Sequence, residues 1–256
     1  MVLSKNKKYQ YLFFSILCVY TIFNGGNSNI LIQLNFILIS LLFLYCLKDK
    51  NYILHFKIFY LKNRISIFFY TLFLFYLVFQ IIPLPIEYLK LFSPFKYDHI
   101  SELSTNIQYS SISLSPSNSF FQILNFISLL ILVFILKMIF YTNKHKNRLF
   151  FFLTFIGAFA SCVAVYFYLI GNPDFWIIKN INKSAATGFF ISRAVFSCFL
   201  TMCFFSGIEY LKMIDRYRKN DADVFFNKIY IRIFLLFITI GIITSFSKIG
   251  NFLFIS

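Results

Sequence analysis

Charge is the first scarcity. Asp, Glu, Lys and Arg make up 13% of the 256 residues, against roughly 25% in soluble globular domains. Only nine residues are acidic, and they are scattered, so no carboxylate cluster is on offer for a magnesium or calcium ion. Glycine is scarce too. The eight glycines are dispersed and form no glycine-rich phosphate loop, which argues against a nucleotide-binding domain. The five cysteines, Cys18, Cys46, Cys162, Cys198 and Cys203, lie inside apolar runs, and none forms a CxxC pair. They read as small apolar packing residues. No metal site and no cofactor is expected.

What is abundant is apolar side chain: 59% of residues are hydrophobic and 22% aromatic. The runs approach the ~20 residues a helix needs to cross the hydrocarbon, and far exceed the ~10 of a membrane β-strand. This pattern predicts an all-α, polytopic helical membrane protein of about seven transmembrane helices, over 9–23, 30–47, 65–82, 119–141, 149–170, 187–208 and 229–256. They form one transmembrane domain over 1–256, with long polar loops at 83–118 and 171–185. The seventh run reaches the last residue without a polar flank, so the domain reads as incomplete. The basic start SKNKK at 4–8 imitates a signal peptide. The following NGGNSN at 24–29 offers no cleavage site and a second span follows at once, so the first helix reads as retained. Two prolines at alternate positions in PLP, 83–85, stop a helix and favour extended chain.

The net charge of +15 does not point to nucleic acid, because most of it lies in short loops, where it encodes orientation. With the N-terminus in the cytoplasm, only Lys90, Lys96, Lys179, Lys183, Arg193 and Lys248 of the 24 lysines and arginines fall on the outer side. Both long loops are then external. The single tryptophan, Trp176, sits in the second of them as a headgroup anchor.

Arg193 stands near the start of the apolar stretch 185–211, about two helical turns inside the outer surface. A guanidinium at bilayer depth costs roughly 2.5–3.5 kcal/mol on insertion scales. Lys248 reaches a similar level independently: nineteen residues after Ile229 a helix has climbed about 28 Å. Each cation has three readings. It snorkels outward, it pairs with a loop carboxylate, or it binds an anionic ligand, for which a phosphate group is the obvious candidate. For Arg193 the carboxylates in question are Asp174 and Glu102.

Three segments, in order, resemble the O-antigen ligase and polysaccharide polymerase-like superfamily of bacterial inner-membrane glycosyltransferases. The first is QIIPLPIEYLKLFSP at 80–94 followed by ISLSP at 112–116, similar to a Q-x-x-P-L-P stretch and a later L-S-x-x-P element. The second is TGFFISRAVFSCFL at 187–200, similar to the helix start T-G-x-F-x-N-R-N-x-x-A-x-x-L, with Arg193 at the arginine. The third is TSFSKIG at 244–250, similar to T-x-S-R-G-G. Ser192 and Ala194 replace the flanking asparagines, Lys248 stands at the arginine and Ile249 replaces a glycine. Lysine keeps the charge and loses the bidentate fork.

The resemblance covers the N-terminal part of a complete GT-C-type transferase. It implies transfer of glycan from a polyprenyl diphosphate carrier to an acceptor glycan or lipid hydroxyl, with Arg193 and Lys248 binding the substrate diphosphate. It implies the bacterial inner membrane as the location. Complete members carry a catalytically important histidine in a later external loop. The one external histidine here, His99, lies in a different loop and reads as a solvated loop residue. The chain by itself is expected to be inactive. The competing reading from a different class is a membrane transporter or flippase-like protein binding an anionic lipid-linked substrate.

Overall fold

The structure is a computed structural model that describes residues 2–23, 28–102, 108–173, 184–217 and 222–255. Helices dominate: α1 Val2–Ile22, α2 Asn29–Leu47, α3 Lys50–Lys62, α4 Arg64–Phe79, α5 Ile86–Phe92, α6 Pro94–Glu102, α7 Pro116–Ile139, α8 Asn143–Leu169, α9 Arg193–Tyr217, α10 Ala222–Thr244 and α11 Lys248–Ile255. Two three-residue strands, β1 Pro83–Pro85 and β2 Tyr109–Ser111, form an antiparallel ladder.

Among the described residues, α2, α7, α8, α9 and α10 are long and apolar enough to cross a membrane, and the pair α3–α4 makes a sixth candidate if its 85° bend is counted within one span. The expectation of seven therefore differs at three places. α1 forms, but Lys5, Lys7 and Lys8 occupy its first turns and leave a short apolar part. The segment 48–64 between the expected spans 30–47 and 65–82 is mostly α3, capped by the Asp49 side chain, which accepts from the Asn51 N–H. The seventh run breaks after Thr244. A multi-pass membrane protein is what the surfaces demand. α4 buries none of its residues, and its Phe68, Phe69 and Phe75 are 62%, 63% and 68% exposed. Only lipid makes such a surface inexpensive.

The chain divides into two compact units, one of 1–31 with 139–256, the other of 32–138. The first is built on α8, α9 and α10, which approach closely through small residues. A Cβ on Gly157 would collide with Cys203, one on Gly207 with Thr154 and Leu235, and one on Gly241 with Ser161. Small residues let helix backbones meet where no hydrophobic effect drives them together. The register 157 to 238 and 161 to 241 makes α8 and α10 parallel. The pairs 154 to 207 and 157 to 203 make α9 antiparallel to both. The α8 amino end is set by Thr142, whose hydroxyl accepts from the His145 N–H. α1 runs with α8: Gln10 meets His145 and Arg148, and one turn on, Phe14 stacks on Phe152 at 4.1 Å. The basic starts of α1 and α8 therefore share one end of the unit, hereafter the basic end.

In the second unit the loop after α4 is an ordered lobe. Ile86 N–H donates to Gln108 C=O, which has the same register parity as the Leu84–Ser110 pair. The even positions thus carry the ladder bonds, and Pro83 and Pro85 occupy positions where no cross-strand N–H is required. The extended chain expected at PLP forms. Lys96, one of the six cations assigned to the outer side, is buried in this lobe. Its ammonium donates to Ser111 C=O at 2.6 Å and to Ser113 C=O. Leu89 of α5, in the same lobe, is fully buried.

Candidate functional site

The two cations singled out by sequence both head helices at the end of the first unit opposite the basic end. The chain reaches that end through α8, which stops in a Schellman arrangement. Gly171, at φ +87°, donates to Tyr168 C=O, and Asn172 N–H donates to Phe167 C=O at 2.8 Å. The Asn172 amide then donates to Ala185 C=O at 3.0 Å, which fastens the returning chain to α8.

That returning chain, 184–192, is not helical. Ala185, Ala186, Thr187 and Phe190 are nonetheless buried. Ala186 N–H donates to Thr244 C=O at the end of α10, and Phe190 N–H donates back to Thr187 C=O. Gly188 sits at φ +55°, with Ala164 and the Ala160 carbonyl so near that a Cβ would come within 2.9 Å of the Ala164 Cβ. Ala164 lies five residues before the end of α8. The segment thus dips about 7 Å back into the bundle before α9 begins.

The sixth helix begins at Arg193, not at 187. The positive φ of Gly188 keeps the preceding stretch out of the helix. Arg193 is exposed and heads the α9 stripe of Phe196, Ser197 and Leu200, all of them fully buried. Residues spaced by three and four share a helix face, so Arg193 stands over the bundle interior. It begins a helix and does not lie within a continuous one.

The break after Thr244 is built from two buried serines. Ser245 hydroxyl donates to Ile242 C=O at 2.6 Å and accepts from the Ser247 N–H. Ser247 hydroxyl accepts from the Gly250 N–H at 3.2 Å, as a helix N-cap does. Between them Phe246 takes φ +48°. The chain then reverses. A Cβ on Gly250 would overlap Ser197, and Phe254 meets Phe204 edge-on at 4.8 Å. α11 accordingly runs alongside α9 and back into the bundle.

Segments two and three are thus brought together, through the Ala186–Thr244 hydrogen bond and the Gly250–Ser197 approach. The two cations face differently. Lys248 shares its stripe with Phe252 and Ile255, which are 72% and 85% exposed, so it stands on the apolar outer face of α11. Among the described residues neither Arg193 nor Lys248 has an ion pair. Asp174, Trp176, Lys179 and Lys183 lie outside the described residues. Segment one, Glu102 and the exposed His99 belong to the other unit. The cavities of about 480 and 400 Å³ are lined by neither cation. Among the described residues no group of three or more His, Cys, Asp or Glu is placed to hold a metal ion.

Sequence reasoning found the cations and missed what supports them: the buried 184–192 turn, the serine-built break and the Gly250 crossing. Two serines flanking one residue inside an otherwise apolar run were the available signal for the break. No protein-family model, no curated protein and no solved structure matches this chain.

Proposed function

We propose that the protein is a membrane glycan transferase of the O-antigen ligase or polysaccharide polymerase kind. It acts at the outer face of a bacterial inner membrane on glycan carried by polyprenyl diphosphate. The observation that carries this reading is the packing of 187–200 against 244–250 at the end opposite the basic one, with a cation at the head of each helix and no acid paired to either among the described residues.

In this reading the carrier's isoprenoid chain lies in lipid beside the exposed stripe of α11. Lys248 reaches the diphosphate from that side and Arg193 from the bundle side. The positive ends of α9 and α11 add to the field there. An acceptor hydroxyl attacks the anomeric carbon and releases its proton to water, the bond from that carbon to the diphosphate oxygen breaks, and the charge growing on the leaving diphosphate is met by fixed cations. Arg193 offers a planar fork that can grip two phosphate oxygens.

Arg193→Lys keeps the charge and removes the fork. In cells producing the protein it should lower glycan transfer roughly 10²-fold or more, with the protein still present in the membrane. Transfer at the unaltered rate would overturn the assignment. The break at 245–247 and the buried non-helical 184–192 favour a second reading, since transporters bind anionic groups at interrupted helices. That reading gains if liposomes containing the protein translocate a labelled polyprenyl diphosphate glycan and no glycosidic bond forms.

A further inference from the structure

At the basic end of the first unit, far along the helices from Arg193, a cavity of about 480 Å³ opens between α1, α8, α9 and α10. Its polar wall is Gln10, Asn147, Arg148 and Asn227. Its apolar wall includes Phe14 and Phe152. Tyr11 and Phe151 on its rim are 65% and 41% exposed, so the cavity opens sideways onto the apolar surface of the helices.

The polar wall is partly committed. Gln10 is 2% exposed, and its amide donates to His145 Nδ1 at 2.6 Å. Arg148 donates through Nη1 to Gln10 Oε1 at 3.1 Å. That contact uses one of the five donors of a guanidinium. Among the described residues no carboxylate forms an ion pair with Arg148, because the two ion pairs present are Lys212–Glu209 and Lys228–Asp215. Beside it the Asn147 Oδ1 is buried with no hydrogen-bond partner. A buried amide oxygen without a partner costs about 1–3 kcal/mol and calls for a donor. Two more cations lie one turn before the lining residues on the same helix faces. Lys7 precedes Gln10 and Tyr11 by three and four residues on α1. Lys144 precedes Asn147 and Arg148 by the same spacing on α8. Both are exposed, and both lie on the stripes that line the cavity.

We propose that this cavity binds the headgroup of an anionic phospholipid bearing free hydroxyls, of the phosphatidylglycerol type. The phosphodiester lies against Arg148 between Lys7 and Lys144. A headgroup hydroxyl donates to Asn147 Oδ1, and the acyl chains leave over Phe14 and Phe151 into the bilayer. The sideways opening and the aromatic wall select a lipid over a free anion. A basic pocket between membrane helices is where anionic headgroups are held. This inference is independent of the transferase reading, which concerns the opposite end.

The test is thermal stabilisation of the detergent-purified full chain by added lipid. Phosphatidylglycerol should raise the unfolding temperature and remain bound in native mass spectrometry. Phosphatidylcholine should do neither. Asn147→Leu should erase the preference for phosphatidylglycerol over phosphatidic acid, which lacks the hydroxyls. The pair Lys7→Gln with Lys144→Gln, both exposed and safe for folding, should weaken binding about thirtyfold. Equal stabilisation by phosphatidylcholine would overturn the proposal. So would stabilisation by inorganic phosphate alone, or an unchanged lipid preference in Asn147→Leu.

Discussion

Gly188→Ala is the sharpest probe of the buried turn that precedes α9. Two independent penalties meet at this one residue. The backbone sits at φ +55°, where a Cβ costs about 1–2 kcal/mol. The new methyl would also lie 2.9 Å from the Ala164 Cβ and 3.2 Å from its Cα. Overpacking of that kind costs about 1–3 kcal/mol. The sum, about 2–5 kcal/mol, lowers the folded-to-unfolded ratio at least about 30-fold. Unfolding by SDS in mixed micelles, followed through the single tryptophan Trp176, reads it directly. Ala164→Gly on the Gly188→Ala background removes the shorter steric contact, to the Ala164 Cβ, and leaves the backbone part. The two changes should therefore couple by more than about 1 kcal/mol in a double-mutant cycle. A Gly188→Ala protein as stable as the parent, or a coupling of zero, would refute the close packing of 184–192 against α8.

Lys96→Met should loosen the lobe after α4. It strips the donor from Ser111 and Ser113 C=O, at about 1–3 kcal/mol per abandoned group, and should speed protease cleavage within 80–113 by tenfold or more. Burial also holds the Lys96 ammonium below the ordinary lysine value of 10.5. The folded lobe then binds that proton less well than the unfolded chain does. Its protection should be full above pH 10.5, fall as the pH drops through the lowered value, and stay flat beneath it; in Lys96→Met the dependence should vanish. Ser247→Ala deletes the cap on Gly250 N–H. It should cost about 1 kcal/mol, read as roughly fivefold faster amide exchange in α11 with α8 unchanged.

How much was legible in the sequence depended on whether the signal was an average or a single contact. Hydrophobic run length is an average over about twenty side chains; it located α2, α4 and α7 within a few residues, and α8, α9 and α10 with at least one end displaced by six residues or more. The prolines of 83–85 act locally, so the extended chain was legible too. The turn at 184–192 was not. Ala185, Ala186 and Phe190 are as apolar as a helix interior, and only the backbone of Gly188 and its closeness to Ala164 mark the departure. The reversal after Thr244 depends on serine hydroxyls answering their own backbone, which hydropathy scores as merely tolerable. The burial of Lys96 was not legible for a related reason. A lysine in a polar loop is usually solvated, and here three groups from one strand region surround its ammonium. Arg193 and Lys248 were legible as unusual residues. The different surroundings of the two became visible only once α11 had folded back along α9.

The small ladder of β1 and β2 has closed borders on both sides. On β1, the residues whose backbone groups point away from β2 include Pro83 and Pro85, which have no N–H to offer a further strand. On β2, the outward carbonyl of Ser111 is already taken by the Lys96 ammonium. A third strand, from this chain or from a neighbouring copy, would find a row without donors on one border and an occupied acceptor on the other. The ribbon is therefore held at two strands, and a lobe made of unpaired-looking β structure is protected from templating aggregation at a crowded membrane surface.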